Sequence, residues 1–393
     1  MKARTIALLT AFCAGAGGLA ACATSEPTSE SHDDPSSVSL SPAPDAGDDR
    51  DAAGDADAET ADACVGECEL FPHDCTDDVL CLTGPFASSM NASFDGRTQV
   101  NVIRGRSSTD VWVAGALGAI AHFDGTSWTR SNLGSTETMR ALWLGSFGEV
   151  AMGVFDRMYV RDASEWLVLL LPPPTVSEVA RLQSCWSAPN SNTAWCATVA
   201  KSYGDTTGLW RLRHSESEGF TLQAGILNDQ CRAAGCSQML AIHGASPDDL
   251  WAVGMGGAIV RIAGAEGEQP SADPYNSQTW SALRSVWATS ANDAWAVGVG
   301  GTVRHYTGSR IWEIVADIPT IKDLNAIWAS SANDIWVAGE DGVVLHNDGT
   351  GWSRVKIAGL GAKRPALTTI WGASPGHVWI GGEGVVLTLG GKP

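Results

Sequence analysis

The stretch SANDIWVAGEDGVVLHNDGTGW, Ser331 to Trp352, decides the fold. Two apolar runs, each short enough for a strand, are separated by Asp341-Gly342 and followed by Asp348-Gly349. Asp-Gly between strand-like runs is a strong hairpin signal, because glycine takes the positive φ that tight turns need. With the run before it, the stretch parses into four strands: 324–330, 335–340, 343–347 and 352–357. A near copy, SANDAWAVGVGGTVRHYTGSRIW, lies one unit earlier, Ser290 to Trp312.

Laying the chain against itself gives seven copies. The second tryptophan of the unit recurs at Trp112, Trp195, Trp251, Trp295, Trp336 and Trp379, with Ala151 in a weak second copy. The intervals are 39, 44, 56, 44, 41 and 43 residues, and the stretch Ala263–Ser277, between Trp251 and Trp295, reads as an insertion. Strand-rich units of roughly 40–45 residues are the period of propeller blades. The expected fold is all-β: a seven-bladed β-propeller of four-stranded antiparallel blades, preceded by a disordered acidic tether. The last copy stops after its third strand. The segment Asn91–Val100, whose Phe94-Asp95-Gly96 echoes Phe123-Asp124-Gly125, is expected to supply the missing outer strand and so remove an exposed edge.

Features that recur from unit to unit point to architecture. The Asp of S-x-x-D (Asp110, Asp249, Asp293, Asp334) is expected to hydrogen-bond its own turn backbone. Paired tryptophans such as Trp287 with Trp295, Trp328 with Trp336 and Trp371 with Trp379 suit the gaps between twisted sheets. His122, His305 and His346 recur at the end of the third strand. Equivalent positions on neighbouring blades lie at least a sheet spacing apart, about 10 Å, whereas zinc needs ligands near about 2 Å. No shared metal is expected, and the histidines are assigned to packing at the hairpin.

The first residues read differently. Lys2 and Arg4 precede an apolar stretch ending in Leu19-Ala20-Ala21-Cys22, the layout of a secretory signal too short to span a bilayer. L-A-A-C resembles the lipobox of bacterial lipoproteins, which implies cleavage before Cys22, lipidation of its thiol and, with Ala23 next, outer-membrane sorting. Residues 22–62 are rich in Ser, Pro, Asp, Ala and Gly, with almost nothing to bury, and read as the disordered linker. Residues 23–82 hold 17 acids against one base, Arg50, so most of the chain's net charge of −19 belongs there. No basic patch points to nucleic acid, and no D-x-[DN]-x-[DN]-G loop points to calcium.

Of the ten cysteines, Cys13 leaves with the signal and Cys22 takes lipid. The remaining eight fall into local groups, as expected of disulfides in an oxidising compartment. Cys64, Cys68, Cys75 and Cys81 lack the paired C-x-x-C spacing of zinc sites; they read as a small two-disulfide segment, 63–82, with three pairings possible. Cys185 and Cys196 flank a predicted hairpin, and Cys231 lies close to Cys236. The propeller is then assigned to 83–393, after the signal (1–21), linker and Cys-rich segment.

The repeat I-W-x-x-S-x-x-D-x-W-x-x-G-x-x-G-x-x-x-H-x-D-G-x-x-W resembles the Trp-rich propeller repeats of secreted and lipid-anchored Gram-negative proteins. It is distantly similar to BNR/Asp-box propellers, among them sialidases and photosystem II assembly-factor-like proteins. The resemblance covers about residues 101–393 and implies architecture. Two departures weaken any implied glycosidase activity. An Asp-box reads S/T-x-D-x-G-x-T-W, whereas Asp124-Gly125 and Asp348-Gly349 are adjacent here, and no arginine cluster with a Tyr/Glu pair is assignable. Fold similarity supplies no reaction.

In a repeat protein, function is sought where the repeat breaks its own rule. At the first-strand Trp position the series runs Arg104, Trp143, Trp186, His243, Trp287, Trp328, Trp371. Arg104 and His243 are the exceptions, and an innermost first strand would put both near the central channel. No nucleophile–base set or phosphate loop accompanies them, and no cofactor is implied. The chain is therefore expected to be a non-catalytic binding or scaffolding module at the outer membrane, with an envelope protein or polysaccharide as partner. A glycan-processing enzyme is the alternative.

Overall fold

The computed structural model describes residues 67–86, 94–171, 180–201 and 206–391. They form seven four-stranded antiparallel sheets, numbered here as blades 1 to 7 in chain order. Their first strands are Val100–Ser107, Ala141–Gly145, Ala180–Trp186, Met239–Ser246, Leu283–Ser290, Leu324–Ser331 and Leu367–Ser374. Each touches the first strand of the next blade, and the seventh touches the first, so these strands enclose a central channel. The expected seven-bladed propeller is the observed fold. The signal sequence, Cys22 and the acidic linker lie outside the described residues.

Blade 6 shows how the sequence makes a sheet. Leu324–Ser331 pairs with Asp334–Gly339, which pairs with Val344–Asn347 and then Trp352–Arg354. The second strand, DIWVAG, is buried along both faces because a neighbouring blade covers each side, so it reads as a continuous apolar run. The outer strand has a rim position and is polar and partly exposed.

The glycine pair of the repeat serves close approach between blade and linker. A Cβ on Gly339 would overlap the Asp323 carbonyl oxygen. Gly342 adopts φ +66°, and its N–H donates to the Pro365 carbonyl of the linker to blade 7 (2.9 Å). The same turn recurs in blade 1, where the Gly118 N–H donates to Glu137 O (2.9 Å).

Packing between blades is mostly apolar, with clusters shared by adjacent sheets. Trp112 of blade 1 is fully buried with Leu142, Ala151 and Tyr159 of blade 2, and Trp379 of blade 7 lies with Val111 and Phe123 of blade 1. In blade 2 the register sets Val150, not Ala151, opposite Trp143, so the equivalent of the second tryptophan lies one residue earlier than the repeat count suggests. Polar side chains also stitch the first strands together around the channel. The Ile103 N–H donates to Thr369 Oγ1 (3.2 Å), the Ile327 N–H to Ser285 Oγ (3.3 Å), and Asn325 Nδ2 to Leu367 O (3.0 Å).

Ring closure differs from the expectation. The fourth strand of blade 7 is Leu80–Thr83, antiparallel to Val385–Leu389, and not Asn91–Val100. Residues 91–93 lie outside the described residues. Phe94-Asp95-Gly96 forms a local turn in which the Thr98 N–H donates to Asp95 O (2.8 Å), and Phe94 is buried beside Trp379 and Phe123. Thr98 O accepts from the Gly384 N–H (2.9 Å), so this segment rests on the hairpin of blade 7. Its resemblance to Phe123-Asp124-Gly125 reflects turn chemistry shared by unrelated places.

The closing strand is seated by the residues around it. Leu80 N–H donates to Lys356 O (2.9 Å) and Leu80 O accepts from the Ala358 N–H (2.7 Å), while Leu70 O accepts from the Ile357 N–H (2.9 Å). Phe71 is buried in the cluster shared by blades 6 and 7, with the Arg364 guanidinium 3.5 Å above its ring. The strand therefore falls within the segment that the cysteine pattern marks off, and the Cys75–Cys81 disulfide anchors its approach.

Leu80 has 0% exposure and Leu82 has 46%. Leu80→Ala is expected to cost about 2–5 kcal/mol, and Leu82→Ala under about 0.5 kcal/mol. Thermal melting of the two variants checks this; equal, small effects would show that the ring closes elsewhere.

Candidate functional site

Two tiers of residues surround the channel, and they differ in how strictly they repeat. The first tier sits at the turn between first and second strands. His305 Nε2 lies 2.6 Å from Asp293 Oδ1, and its ring stacks on Trp295 with centroids 3.8 Å apart. Blades 1 and 6 repeat the arrangement: His122 with Asp110 (2.8 Å) on Trp112, and His346 with Asp334 (2.8 Å) on Trp336. Thr289 and Ser330 donate their hydroxyls to Asp293 and Asp334 from the first strand. In blade 4, Arg261 replaces the histidine, binding Asp249 through two nitrogens (2.7 and 2.6 Å) with its guanidinium 5.3 Å from the Trp251 ring centre.

These aspartates thus accept from side chains on the adjoining strands rather than from their own turn backbone as expected. Burial raises the Asp293 and Asp334 carboxyls, but hydrogen bonds from the histidine and the hydroxyl more than offset it and leave both below the ordinary value. The histidines each serve their own blade. The turn-backbone role belongs instead to Asp124, which accepts from the Thr126 and Ser127 N–H groups (2.9 and 2.8 Å).

The second tier is the series at the first-strand Trp position. Register pairs Arg104 with Trp112, His243 with Trp251, Trp287 with Trp295 and Trp371 with Trp379. These side chains lie on the first strands, the innermost of each blade. Trp186, His243, Trp328 and Trp371 each pack on the next blade at the residue following that blade's own series member. A Cβ on Gly105 or Gly372 would overlap the ring of Trp371 or Trp328. The residues at that position are Gly105, Ser187, Gly244, Ala288, Ala329 and Gly372, all small. Leu144, which follows Arg104 around the ring, is the exception.

Both rule-breaking residues are thus on first strands, which enclose the channel. His243 is buried, stacks on Trp287 (centroids 3.7 Å) and lies 5.2 Å from Trp186. Its Nδ1 accepts from the Ala288 N–H (3.1 Å), which leaves the ring proton on Nε2. Burial, with a smaller contribution from the Arg104 charge, pushes its pKa down to about 3. Arg104 is part-buried, with Nη1 donating to Ile103 O (2.8 Å), and burial brings its pKa down to about 10, so it stays charged at neutral pH. The arrangement is a belt of five tryptophans, Trp143, Trp186, Trp287, Trp328 and Trp371, broken by one cation and one neutral imidazole. Aromatic faces of this kind stack on planar or apolar groups, and a cation among them selects charge.

The remaining sequence candidates are structural. Disulfides join Cys75 to Cys81, Cys185 to Cys196 across the first two strands of blade 3, and Cys231 to Cys236 around the short helix Asn228–Ala234. Cys64 and the side chain of Cys68 lie outside the described residues. Among the described residues no cluster of three His, Cys, Asp or Glu side chains has metal-binding geometry. The insertion after blade 4's third strand supplies its outer strand, Ser271–Tyr275, and Arg211 of blade 3 donates to Ala265 O (3.2 Å) and to Gly267 O within it. A groove of about 720 Å³ lies between that strand and the helix, lined by Leu227, Gln230, Ala234, Pro270 and Pro274. Its one titratable side chain, Glu268, is engaged by Arg213 (2.9 Å), so the groove offers little directional chemistry beside the channel belt.

No family model matches the sequence, and no curated protein is significantly similar to it. Solved structures are similar in fold. YCF48 bound to D1 peptide superposes with a TM-score of 0.57 at 17% identity, covering 74% of this chain and 91% of that one. YCF48 from Cyanidioschyzon merolae gives 0.57 at 15%, covering 74% and 94%. The WD40 propeller domain of Doa1 gives 0.52 at 10%, covering 81% and 93%. At these identities the likeness is one of fold.

The buried imidazole makes stability depend on pH in a defined direction. The unfolded chain protonates His243 below about pH 6.5, while in the fold it stays neutral down to about 3. The unfolded state therefore binds more protons in that interval, and stability falls as pH drops through it, by up to about 1.4 kcal/mol per pH unit. Between pH 7 and 5, above the carboxylate range, His243→Gln is expected to flatten the fall in melting temperature. An unchanged slope in the variant would show that His243 titrates normally in the fold.

Proposed function

We propose that this chain is a non-catalytic binding module whose propeller receives a segment of an envelope protein at the aromatic belt of its channel. The observation that carries the reading is a polar break in the first-strand series. The second-strand series departs from tryptophan once, with an apolar residue in blade 2, whereas the first-strand series departs with two polar groups, Arg104 and the buried His243.

Trp186, Trp287 and Trp371 remain part-exposed, which leaves ring surface for a ligand. Tryptophan and arginine dominate the energetics of protein interfaces, so a belt of this composition suits protein recognition. A structure of the same fold has been solved with a peptide bound, YCF48 with D1 peptide. Glycoside hydrolysis ordinarily uses two carboxylates flanking the scissile bond, and the belt holds none. This favours binding over the glycan-processing alternative. In the same reading the lipobox at Cys22 holds the chain at the outer membrane, and the acidic linker spaces the propeller from the surface.

The test is affinity capture from detergent-solubilised envelope with the tagged full chain, beside Arg104→Trp, His243→Trp and the double variant Trp186→Ala/Trp371→Ala. A stoichiometric protein partner is expected with the native chain and a loss of about tenfold or more with the belt variants. Cys22→Ser is expected to move the chain from the membrane to the soluble fraction. Capture that ignores every belt substitution, with melting unchanged, would contradict the assignment.

A further inference from the structure

We propose that Arg104 forms a carboxylate-binding site in the channel, which takes an Asp or Glu side chain of an extended peptide. The proposal rests on the peptide-binding reading above and names the chemistry of its anchor residue.

The first support is an imbalance in hydrogen bonding. A guanidinium carries five N–H donors and no acceptor. The arginines that hold this fold together use several of theirs. Arg304 donates to Ser277 O, Val303 O and Gln278 O, Arg284 reaches Asp323 and Asn325, and Arg106 reaches Asp110 and Glu149. Arg104 makes one such bond, to the carbonyl of its own neighbour, and no carboxylate of the described residues pairs with it. A half-buried charge held this way gives little to the fold, and taking it out of bulk water costs stability.

The second support is steric. Trp186, His243, Trp328 and Trp371 lie on small residues of the next blade, Gly244, Ala288, Gly372 and Gly105, whereas the corresponding position of blade 2 holds Leu144. A leucine there leaves the guanidinium of Arg104 less room in the interface than a glycine or alanine would. Its charge is felt by His243 three blades away, on the far side of the belt. Arg104 is the one cation of the belt, whose other members are tryptophans and a neutral histidine.

The ligand chemistry follows. A planar fork of N–H donors matches a carboxylate bidentately. A single positive charge balances a carboxylate, whereas a doubly charged phosphate would leave one charge uncompensated among the tryptophan rings. The weak competition of water in a half-buried site strengthens the pair. The part-exposed Trp186, Trp287 and Trp371 offer faces for the apolar stem and the neighbouring residues of an extended chain.

The test selects a random peptide library against the full chain and against Arg104→Gln, with melting temperatures confirming that both are folded. Enrichment of peptides sharing an Asp or Glu is expected with the native chain and is lost in the variant. Changing that acid to Asn or Gln in a selected peptide should weaken binding by about tenfold or more, with partial retention in Arg104→Lys. The bound carboxylate should also raise the pKa of His243, read by NMR titration of its imidazole, since it cancels the repelling charge. Enriched peptides without an acid, or binding indifferent to Arg104→Gln, would overturn the carboxylate site and leave the peptide-binding reading standing. No enriched peptide, or binding only of a glucuronate oligosaccharide, would overturn both.

Discussion

A four-stranded sheet whose second strand is apolar on both faces has no stable existence alone; both faces must be covered. In this chain each blade is covered by the blade on either side, and the arrangement ends without exposed faces only when the seventh sheet meets the first. The rest of the structure depends on that closure. Trp112, Trp195, Trp251 and Trp379 are fully buried because they fill the wedge between sheets, where each removes roughly 150–250 Å² from water. The Asp–His pairs at the turns stack on Trp112, Trp295 and Trp336, and side chains such as Thr369 and Ser285 hydrogen-bond first strand to first strand around the axis.

Closure also explains why the chain crosses its own start. Blade 7 lacks a fourth strand of its own, and Leu80–Thr83 fills the place from the N-terminal side. Residues far apart in sequence are thereby made neighbours, and the ring cannot open without withdrawing Leu80 from the cluster around Ile357, Leu360 and Leu387. The disulfide from Cys75 to Cys81 restrains the strand's approach.

Much of this was legible in the sequence because the controlling interactions are local and repeated. Asp348-Gly349 announces a hairpin wherever it stands, and the Trp period reveals sheets of one size. The closing strand was not legible, because LCLT has no counterpart among the outer strands, which read WTRSN, GFTLQA or SADPY. Its placement is decided by the long-range pairing of Leu80 with Leu389, which no local pattern encodes. The role of the S-x-x-D aspartates was half legible for a related reason. Asp110 and His122 lie 12 residues apart and meet only across a strand pair, so the pairing needs the register. The belt was legible in membership, since Arg104 and His243 are visible as exceptions. The contrast of Leu144 with its small counterparts becomes meaningful only when adjacent blades are seen in contact.

Strict repetition on the walls and variation at the opening divide the molecule into a frame and a place where chemistry differs. Site-specific photo-crosslinking in intact cells tests that division most directly. p-Benzoylphenylalanine would be placed at Trp371 on the belt and, separately, at Leu167 on the exposed outer strand of blade 2. A discrete crosslinked protein from position 371, abolished by Arg104→Gln and absent from position 167, is the predicted result. Crosslinks from position 167 alone would contradict the account and move the functional surface to the rim.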